Sequence, residues 1–368
     1  MTAVTASLFP ALPSPARATR LRTRLLQWYG ENARDLPWRR TSDAYAILVS
    51  EAMLQQTQVG TVVDYYGRFL EAFPDAKSLA DADEEKVLAL WSGLGYYRRA
   101  RSLQAAARVM MTDHAGHFPR DEKAALNLPG VGRYTAGAVL SIAYGLPQAL
   151  VDGNVERVFS RFFGLDGVSG SRELVSQCWE LAEFLVPQKR AGDWNQALME
   201  LGALICTPRQ TACVDCPLKR SCQARKQGRV SELPRPKVRA AAKALDVEML
   251  LIRRGLRILL EKRAEGQALG GLWQLPTRVI GGEGEEGSRL FAEEWPDGLG
   301  ARKGPDLGRL RHGIMRFSIR ARLRPGTVRG RKGPALEWFT AEQLGGLGLT
   351  AMARKALAKL KDWPPRTD

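Results

Sequence analysis

Four cysteines, Cys206, Cys213, Cys216 and Cys222, fall within seventeen residues of a 368-residue chain whose fifth, Cys178, stands alone. The intervals between them are six, two and five residues. Four thiolates this close suit a tetrahedral or cubane metal centre and would tie the chain on either side into one compact loop. Structural zinc more often uses two close pairs, whereas only Cys213 and Cys216 are closely spaced, so a [4Fe-4S] cluster is expected, with zinc as the alternative. In a chain without an export signal such clustering points to a metal site in a reducing compartment more than to disulfides. Cys178, between Gln177 and Trp179 on an amphipathic stretch, reads as a buried thiol.

Around this loop the chain divides. At 368 residues two domains of ordinary size are expected, and a hydrophobic fraction of 45% allows each a packed core. Residues 1–20 are rich in Ala, Pro, Ser and Thr, lack acids, and have their apolar piece broken by Pro10 and Pro13, so a disordered leader is expected. The interruption argues against a secretory signal; composition leaves an organellar transit role open beside a bacterial cytoplasmic, nucleoid-associated location. Residues 21–228 read as all helix, with amphipathic segments separated by Leu36-Pro37, Phe73-Pro74-Asp75, Gly93-Leu94-Gly95, Pro129-Gly130 and Gly145-Leu146-Pro147. A basic, Pro-containing linker follows over 229–243, then an α+β domain over 244–362. There we expect a hairpin of Leu245–Leu251 and Leu256–Glu261, strands at Arg316–Leu323 and Glu337–Phe339, a loop at Gly281–Gly287 and a helix at Ala351–Leu360. No apolar run is long enough for a membrane span, so no membrane partner is expected. The net charge of +16 suggests a polyanionic partner, with a merely solvated basic surface as the alternative.

Three stretches carry chemistry. Glu51 sits in the apolar and amide-bearing run from Val49 to Val59, whose helical periodicity places it on or near a buried face unless it is a surface or capping glutamate. Leu128-Pro129-Gly130-Val131-Gly132-Arg133-Tyr134 precedes an apolar helix, and its glycines permit a tight turn whose amides and helix dipole favour a phosphate. That is the pattern of a helix-hairpin-helix gripping a DNA backbone without reading sequence, or else of a plain turn between helices. Asp152, in Val151-Asp152-Gly153-Asn154, is placed to cap a helix and can also face a cleft. Two carboxylates, Glu51 and Asp152, flanking a sugar-to-leaving-group bond are what hydrolysis through an oxocarbenium-like transition state needs: one donates a proton and the other stabilises the cation.

Taken together, the hairpin, the downstream aspartate and the cysteine spacing resemble the endonuclease III superfamily of DNA repair glycosylases. Leu36-Pro37-Trp38-Arg39, the Ser50-to-Val59 run, Gly93-Leu94-Gly95-Tyr96-Tyr97-Arg98, Val151–Asn154 and Leu201-Gly202-Ala203 resemble MutY-type adenine DNA glycosylases in particular. The resemblance covers residues 21–228. It implies Glu51 as the general acid that protonates extruded adenine at N7 and later helps activate water, and Asp152 as the carboxylate that meets the deoxyribose cation. Tyr134 and Asn154 would position them; Gln56 and Tyr96 would wedge and fill the gap in the duplex, while Trp38, Arg39 and Leu54 would surround the base, Trp38 also suiting a core position. Bifunctional relatives carry a lysine at Tyr134, so an abasic product with intact strands is implied. Double-stranded DNA with adenine opposite 8-oxoguanine or guanine is the implied partner, abasic-site repair enzymes would act downstream, and a monomer is expected. A bifunctional lyase, a glycosylase of altered opposite-base specificity, or a non-catalytic DNA scaffold are the other readings.

The second domain resembles the Nudix-like domain of the same proteins, through Gly271-Leu272-Trp273-Gln274-Leu275-Pro276 and Leu336-Glu337-Trp338-Phe339, without the glutamate-rich metal box. The family's loop that inspects the base opposite adenine typically ends Phe-Ser-His; here the corresponding run is Leu310-Arg311-His312-Gly313-Ile314-Met315-Arg316-Phe317, with Met315 and Arg316 in place of the Ser and His. Either Arg316 and His312 supply the lost polar contacts or the lesion is read less selectively. Arginine is dense nearby, at Arg302, Arg309, Arg311, Arg320, Arg322, Arg324, Arg329 and Arg331 among others, which suits phosphate contact or a solvated basic surface.

Overall fold

The computed structural model describes residues 12–238, 240–267, 269–282, 290–296, 298–302, 306–328 and 333–359. The helices are α1 (Pro15–Asn32), α2 (Ala44–Leu54), α3 (Val59–Ala72), α4 (Ala76–Ala80), α5 (Glu84–Trp91), α6 (Arg98–Asp113), α7 (Glu122–Leu126), α8 (Arg133–Tyr144), α9 (Gly153–Phe163), α10 (Arg172–Leu185), α11 (Ala191–Leu204) and α12 (Gln223–Lys226). Strands follow as β1 (Lys243–Leu251), β2 (Arg253–Arg254), β3 (Arg257–Lys262), β4 (Trp273–Gln274), β5 (Thr277–Gly282), β6 (Leu299–Ala301), β7 (Gly308–Ile314), β8 (Phe317–Val328) and β9 (Leu336–Thr340). Helices α13 (Ala341–Leu344) and α14 (Ala351–Leu357) close the series. Among the described residues no helix is long and apolar enough to cross a membrane.

Two compact units emerge: residues 1–80 with 105–239, and residues 81–104 with 240–368. In the first, α1 lays Ala18, Leu21, Leu25 and Tyr29 at helical spacing against the buried faces of α9, α10 and α11. Ser14 caps α1 and Pro15 occupies its first turn, so the helix begins inside the stretch expected as a leader; only residues 1–11 of that stretch lie outside the described residues. The central helix α2 departs from simple amphipathicity. Every residue from Ala44 to Met53 is buried, so it is enclosed on all sides and carries Ser50 and Glu51 into the interior.

Two glycines let helices approach the segment that bears Asp152. A Cβ at Gly137 in α8 would stand 2.0 Å from the Ala149 carbonyl oxygen, and one at Gly202 in α11 would stand 2.6 Å from the Asn154 Cβ. The expected linker, 229–243, is docked on the helical unit as far as Arg235: its amide donates to the Gly167 carbonyl at 2.9 Å, and Arg161 Nε reaches the Leu233 carbonyl at 2.8 Å. Apolar burial of Leu233 explains why a basic, Pro-containing segment is held down.

In the second unit one sheet runs β5-β1-β8-β6 with β7 also on β8, and another runs β2-β3-β4 with β9 on β3. The expected hairpin is corrected accordingly. β1 pairs antiparallel with β5 and parallel with β8, while the turn at Arg253–Arg257 joins only β2 to β3. Ile252 carries the chain from one sheet to the other, buried in a smaller cluster with Leu250, Leu259 and Leu336, while residues of both sheets, Val247 and Ile319 as well as Ile258 and Leu260, share the main core. Residues 81–104, helical as expected, pack with this unit: Trp273 Nε1 donates to Glu85 at 2.7 Å, Tyr97 donates to the Leu349 carbonyl at 2.9 Å, and Arg101 joins Glu84 to the Gly270 carbonyl, both at 2.6 Å. Gly281–Gly287 is strand as far as Gly282, and 283–289 lie outside the described residues, as do Lys303 and Arg329–Lys332. The last helix ends at Leu357, with residues from 360 onward outside the described set.

The contact at Gly137 predicts that Gly137→Ala, which cannot relieve a clash with backbone, lowers stability by about 3 kcal/mol. Urea unfolding of the two proteins measures it.

Candidate active site

A cavity of ≈ 580 Å³ opens in the helical unit between α2, the α8 N-terminus, the α9 N-terminus and α11. Trp38, Arg39, Glu51, Leu54, Gln56, Tyr134, Asp152 and Asn154 all line it, as do Arg34, Gln55, Met199 and Glu200. Its size falls in the range of small-molecule sites and its walls are largely apolar with a few convergent polar groups.

Glu51 is 4% exposed, which removes the surface reading. The Tyr134 hydroxyl donates to its Oε2 at 2.6 Å and also lies 3.3 Å from Met199 Sδ. Burial pushes the Glu51 carboxyl up to about 7; the Tyr134 bond pulls it back, the charge of Asp152 adds to the rise and that of Arg39 opposes it. The Tyr134 phenol is raised well above its ordinary value by burial and by the neighbouring Glu51, so it stays a donor.

Asp152 is the N-cap of α9, its Oδ1 accepting from the Val155 amide at 2.7 Å, and it faces the cavity as well. The two sequence readings of this residue are therefore both realised. Asn154 donates from Nδ2 to Asp152 Oδ2 at 2.7 Å, while its Oδ1 accepts from Arg157 at 2.8 Å, so the amide is fixed at both ends. Burial raises the Asp152 carboxyl, and the Val155 and Asn154 hydrogen bonds oppose that rise.

Sequence reasoning missed Glu200 and Arg34. Glu200 is 1% exposed and takes Arg34 at 2.6–2.8 Å and Arg39 at 2.8–3.0 Å through both carboxylate oxygens. Burial alone would raise its carboxyl, but the two guanidiniums override it and hold it at about 2. The argument applied to Glu51, a carboxylate within an apolar helix, would have found Glu200 in Ala197-Leu198-Met199-Glu200-Leu201. Trp38 is buried, edge-on to Tyr66 at 5.5 Å, and still lines the cavity.

Other expected residues lie outside this cavity. Gly130, Val131 and Gly132 form the turn from α7 into α8, with Gly130 at φ +77° and Gly132 as N-cap, so the first amides of α8 have no intrahelical acceptor. Tyr96 belongs to the second unit; it is 58% exposed at φ +48°, with the Arg99 guanidinium 5.4 Å from its ring. Met315, at φ +50° and 75% exposed, and Arg316 form the turn between β7 and β8, while His312 Nδ1 lies 3.3 Å from Lys355 Nζ. Burial and then Lys355 push the His312 imidazole down, away from the cationic form.

The cysteines Cys206, Cys213, Cys216 and Cys222 are all free thiols at intermediate exposure, and three of them border the helical core. Among the described residues no group of three His, Cys, Asp or Glu side chains is already arranged as a metal ligand set. In the cysteine loop Lys219 and Arg225 turn back onto the carbonyls of Val214 and Lys219. Arg157 and Arg161 of α9 reach the same loop through the Cys206 and Thr207 carbonyls at 2.7 Å. Cys178 is fully buried, its thiol pushed up to about 12 by burial.

Residues 49–184 match the family described as HhH-GPD superfamily base excision DNA repair protein, and residues 248–359 match the NUDIX domain. The adenine DNA glycosylase of Rattus norvegicus is 34% identical over 400 residues, covering 92% of this chain and 78% of that protein. That of Homo sapiens is 49% identical over 222 residues, covering 58% of this chain and 40% of that one. A solved thermostable thymine-DNA glycosylase is similar at TM-score 0.52 and 33% identity, over 58% of this chain and 98% of that chain.

Because the folded state holds Glu51 protonated up to about pH 7 against an ordinary 4.5, its burial costs stability as pH rises between those values. Glu51→Gln is therefore expected to match the wild type in unfolding free energy, measured by urea titration, below pH 4.5 and to exceed it above pH 7, by up to roughly 3 kcal/mol.

Proposed function

Because the chain belongs to the adenine DNA glycosylases, we propose that it is a monofunctional glycosylase of base excision repair that hydrolyses the N-glycosidic bond of an adenine extruded from duplex DNA. The observation that carries this reading is a buried, proton-retaining carboxyl, Glu51, sharing one cavity with a second carboxylate, Asp152. Among the described residues no lysine lines that cavity, so no amine is at hand for the Schiff base of a lyase.

Extrusion costs a few kcal/mol of unstacking, offset by seating the base among Trp38, Leu54 and Ile47. Glu51 gives its proton to adenine N7 as the bond to C1′ breaks, and the electron pair leaves with the base. Asp152, whose carboxylate form is favoured by the hydrogen bonds from Asn154 and the Val155 amide, stabilises the sugar cation. Water then adds to C1′ and returns a proton to the Glu51 carboxylate, leaving an abasic site and an intact strand. Tyr134 holds the catalytic carboxyl in place throughout, and Glu200 locks Arg34 and Arg39 at the cavity rim.

DNA is held by the α7–α8 turn through backbone amides, with Gln56 and Tyr96 filling the gap left by the base. The Nudix unit reads the opposite base, 8-oxoguanine or guanine, through the Met315–Arg316 turn. His312 contributes less there, being engaged with Lys355. Abasic-site repair enzymes act on the product. For the cysteines, the donor chemistry fits a [4Fe-4S] cluster: four thiols, none in a disulfide, in one loop. Cys206, Cys213, Cys216 and Cys222 would hold it, and it would serve as a staple for the loop that Arg157 ties to Asn154.

Single-turnover assays on duplexes placing adenine opposite 8-oxoguanine, guanine and cytosine, and thymine opposite guanine, test the reading. Adenine release opposite 8-oxoguanine or guanine, alkali-labile sites and no borohydride-trapped adduct are expected. Release of thymine alone, or a trapped adduct, would contradict it. Glu51→Gln should retain duplex binding and lose release by at least about a thousandfold. Iron and sulfide analysis with visible charge-transfer absorption checks the cluster, which Cys213→Ser should abolish.

A further inference from the structure

Strands β7 and β8 place Arg309 directly opposite Arg322 and Arg311 directly opposite Arg320. Alternation turns Leu310, Ile319, Ala321 and Leu323 inward and leaves all four arginines exposed on the other face. Like charges facing each other across an antiparallel pair destabilise it, so two such pairs in succession cost stability that nothing in the sheet requires. The compensation is slight. Asp246 takes Arg320 at 2.6 and 2.7 Å, and Asp306 lies 3.3 Å from Arg309 and 3.5 Å from Arg322, all at exposed positions where ion pairs contribute little.

This face is concave. The four arginines, Lys359 and Asp246 line a cavity of ≈ 770 Å³, in which Ile280 is the one exposed large apolar side chain among the described residues. An acidic peptide would need more apolar anchors than Ile280 alone among the described lining residues, whereas planar guanidiniums in a closely spaced array match phosphate oxygens. We propose that the β7–β8 arginine face is a phosphate-backbone site for duplex DNA, engaging undamaged and mispaired duplexes alike. The inference rests on the DNA-acting function proposed above, and deepens it by giving the second unit a lesion-independent grip.

The test is equilibrium binding of full-length wild type and Arg311→Gln/Arg322→Gln to an undamaged duplex and to one with adenine opposite 8-oxoguanine, over a salt series. The variant is expected to lose affinity roughly tenfold on both duplexes at low salt, with the log–log salt slope reduced by about 1–2. Its melting temperature should not fall, since two like-charge contacts are relieved. A control, Arg254→Gln/Arg257→Gln on the other sheet, should leave the slope as in wild type. An unchanged slope in the first variant, an equal loss in the control, a loss confined to the mispaired duplex, or polyglutamate competing as well as undamaged duplex would each overturn the proposal. Wild-type adenine release, measured separately, distinguishes the two readings. An arginine-dependent slope without release would sink the glycosylase reading and leave this site standing, and release with an unaffected slope would do the reverse.

Discussion

A carboxyl group removed from water and met by one hydroxyl is the constraint on which the helical unit depends. Glu51 lies inside a helix whose other residues are nearly all apolar and buried, and the 2.6 Å bond from Tyr134 is what the fold returns for its desolvation. Satisfying that bond requires α8 to stand beside α2. The approach of α8 to the segment before Asp152 in turn requires glycine at position 137, where any Cβ would strike the Ala149 carbonyl. The site and the packing therefore share residues: Tyr134 in the first turn of α8 holds the Glu51 carboxyl, and Gly137 one turn later sets how closely α8 approaches the segment leading to Asp152.

A second layer supports the first. Arg157 holds Asn154, the Gly202 carbonyl and the Cys206 carbonyl together, so the group that orients Asp152 is tied to the cysteine loop. Glu200 plays the corresponding part on the other wall, where its doubly paired carboxylate is pinned in the ionised form and fixes two arginines. One cavity thus contains a carboxyl driven toward neutrality by burial, Glu51, and another held ionised by its two arginine partners, Glu200, so burial alone does not set the charge of a carboxyl there.

Legibility from sequence followed the range of the interaction. The helices of the first unit, the turn into α8, the N-cap at Asp152 and the burial of Glu51 were readable because they rest on local spacing and capping. The β1–β3 hairpin is not what forms because the turn signal at Arg254–Gly255 is local, whereas β1 is taken up by a parallel ladder with β8, some seventy residues on, that no local signal encodes. The docking of residues 81–104 with the second unit rests on side-chain bonds spanning long separations, Trp273 to Glu85 and Tyr97 to Leu349, that no periodicity encodes. Glu200 was legible in principle, and its two arginine partners were not, since Arg34 lies over a hundred residues away in sequence.

The central claim is that Glu51 acts as the acid because burial keeps it protonated near neutrality while Tyr134 tempers that shift. The pH dependence of single-turnover adenine release by wild type and Tyr134→Phe tests it most directly. The wild-type rate should fall as pH rises through about 7, and loss of the Tyr134 bond, which favours the charged carboxylate, should move that fall to higher pH. A rate independent of pH across neutrality, or a fall displaced to lower pH in the variant, would contradict the account.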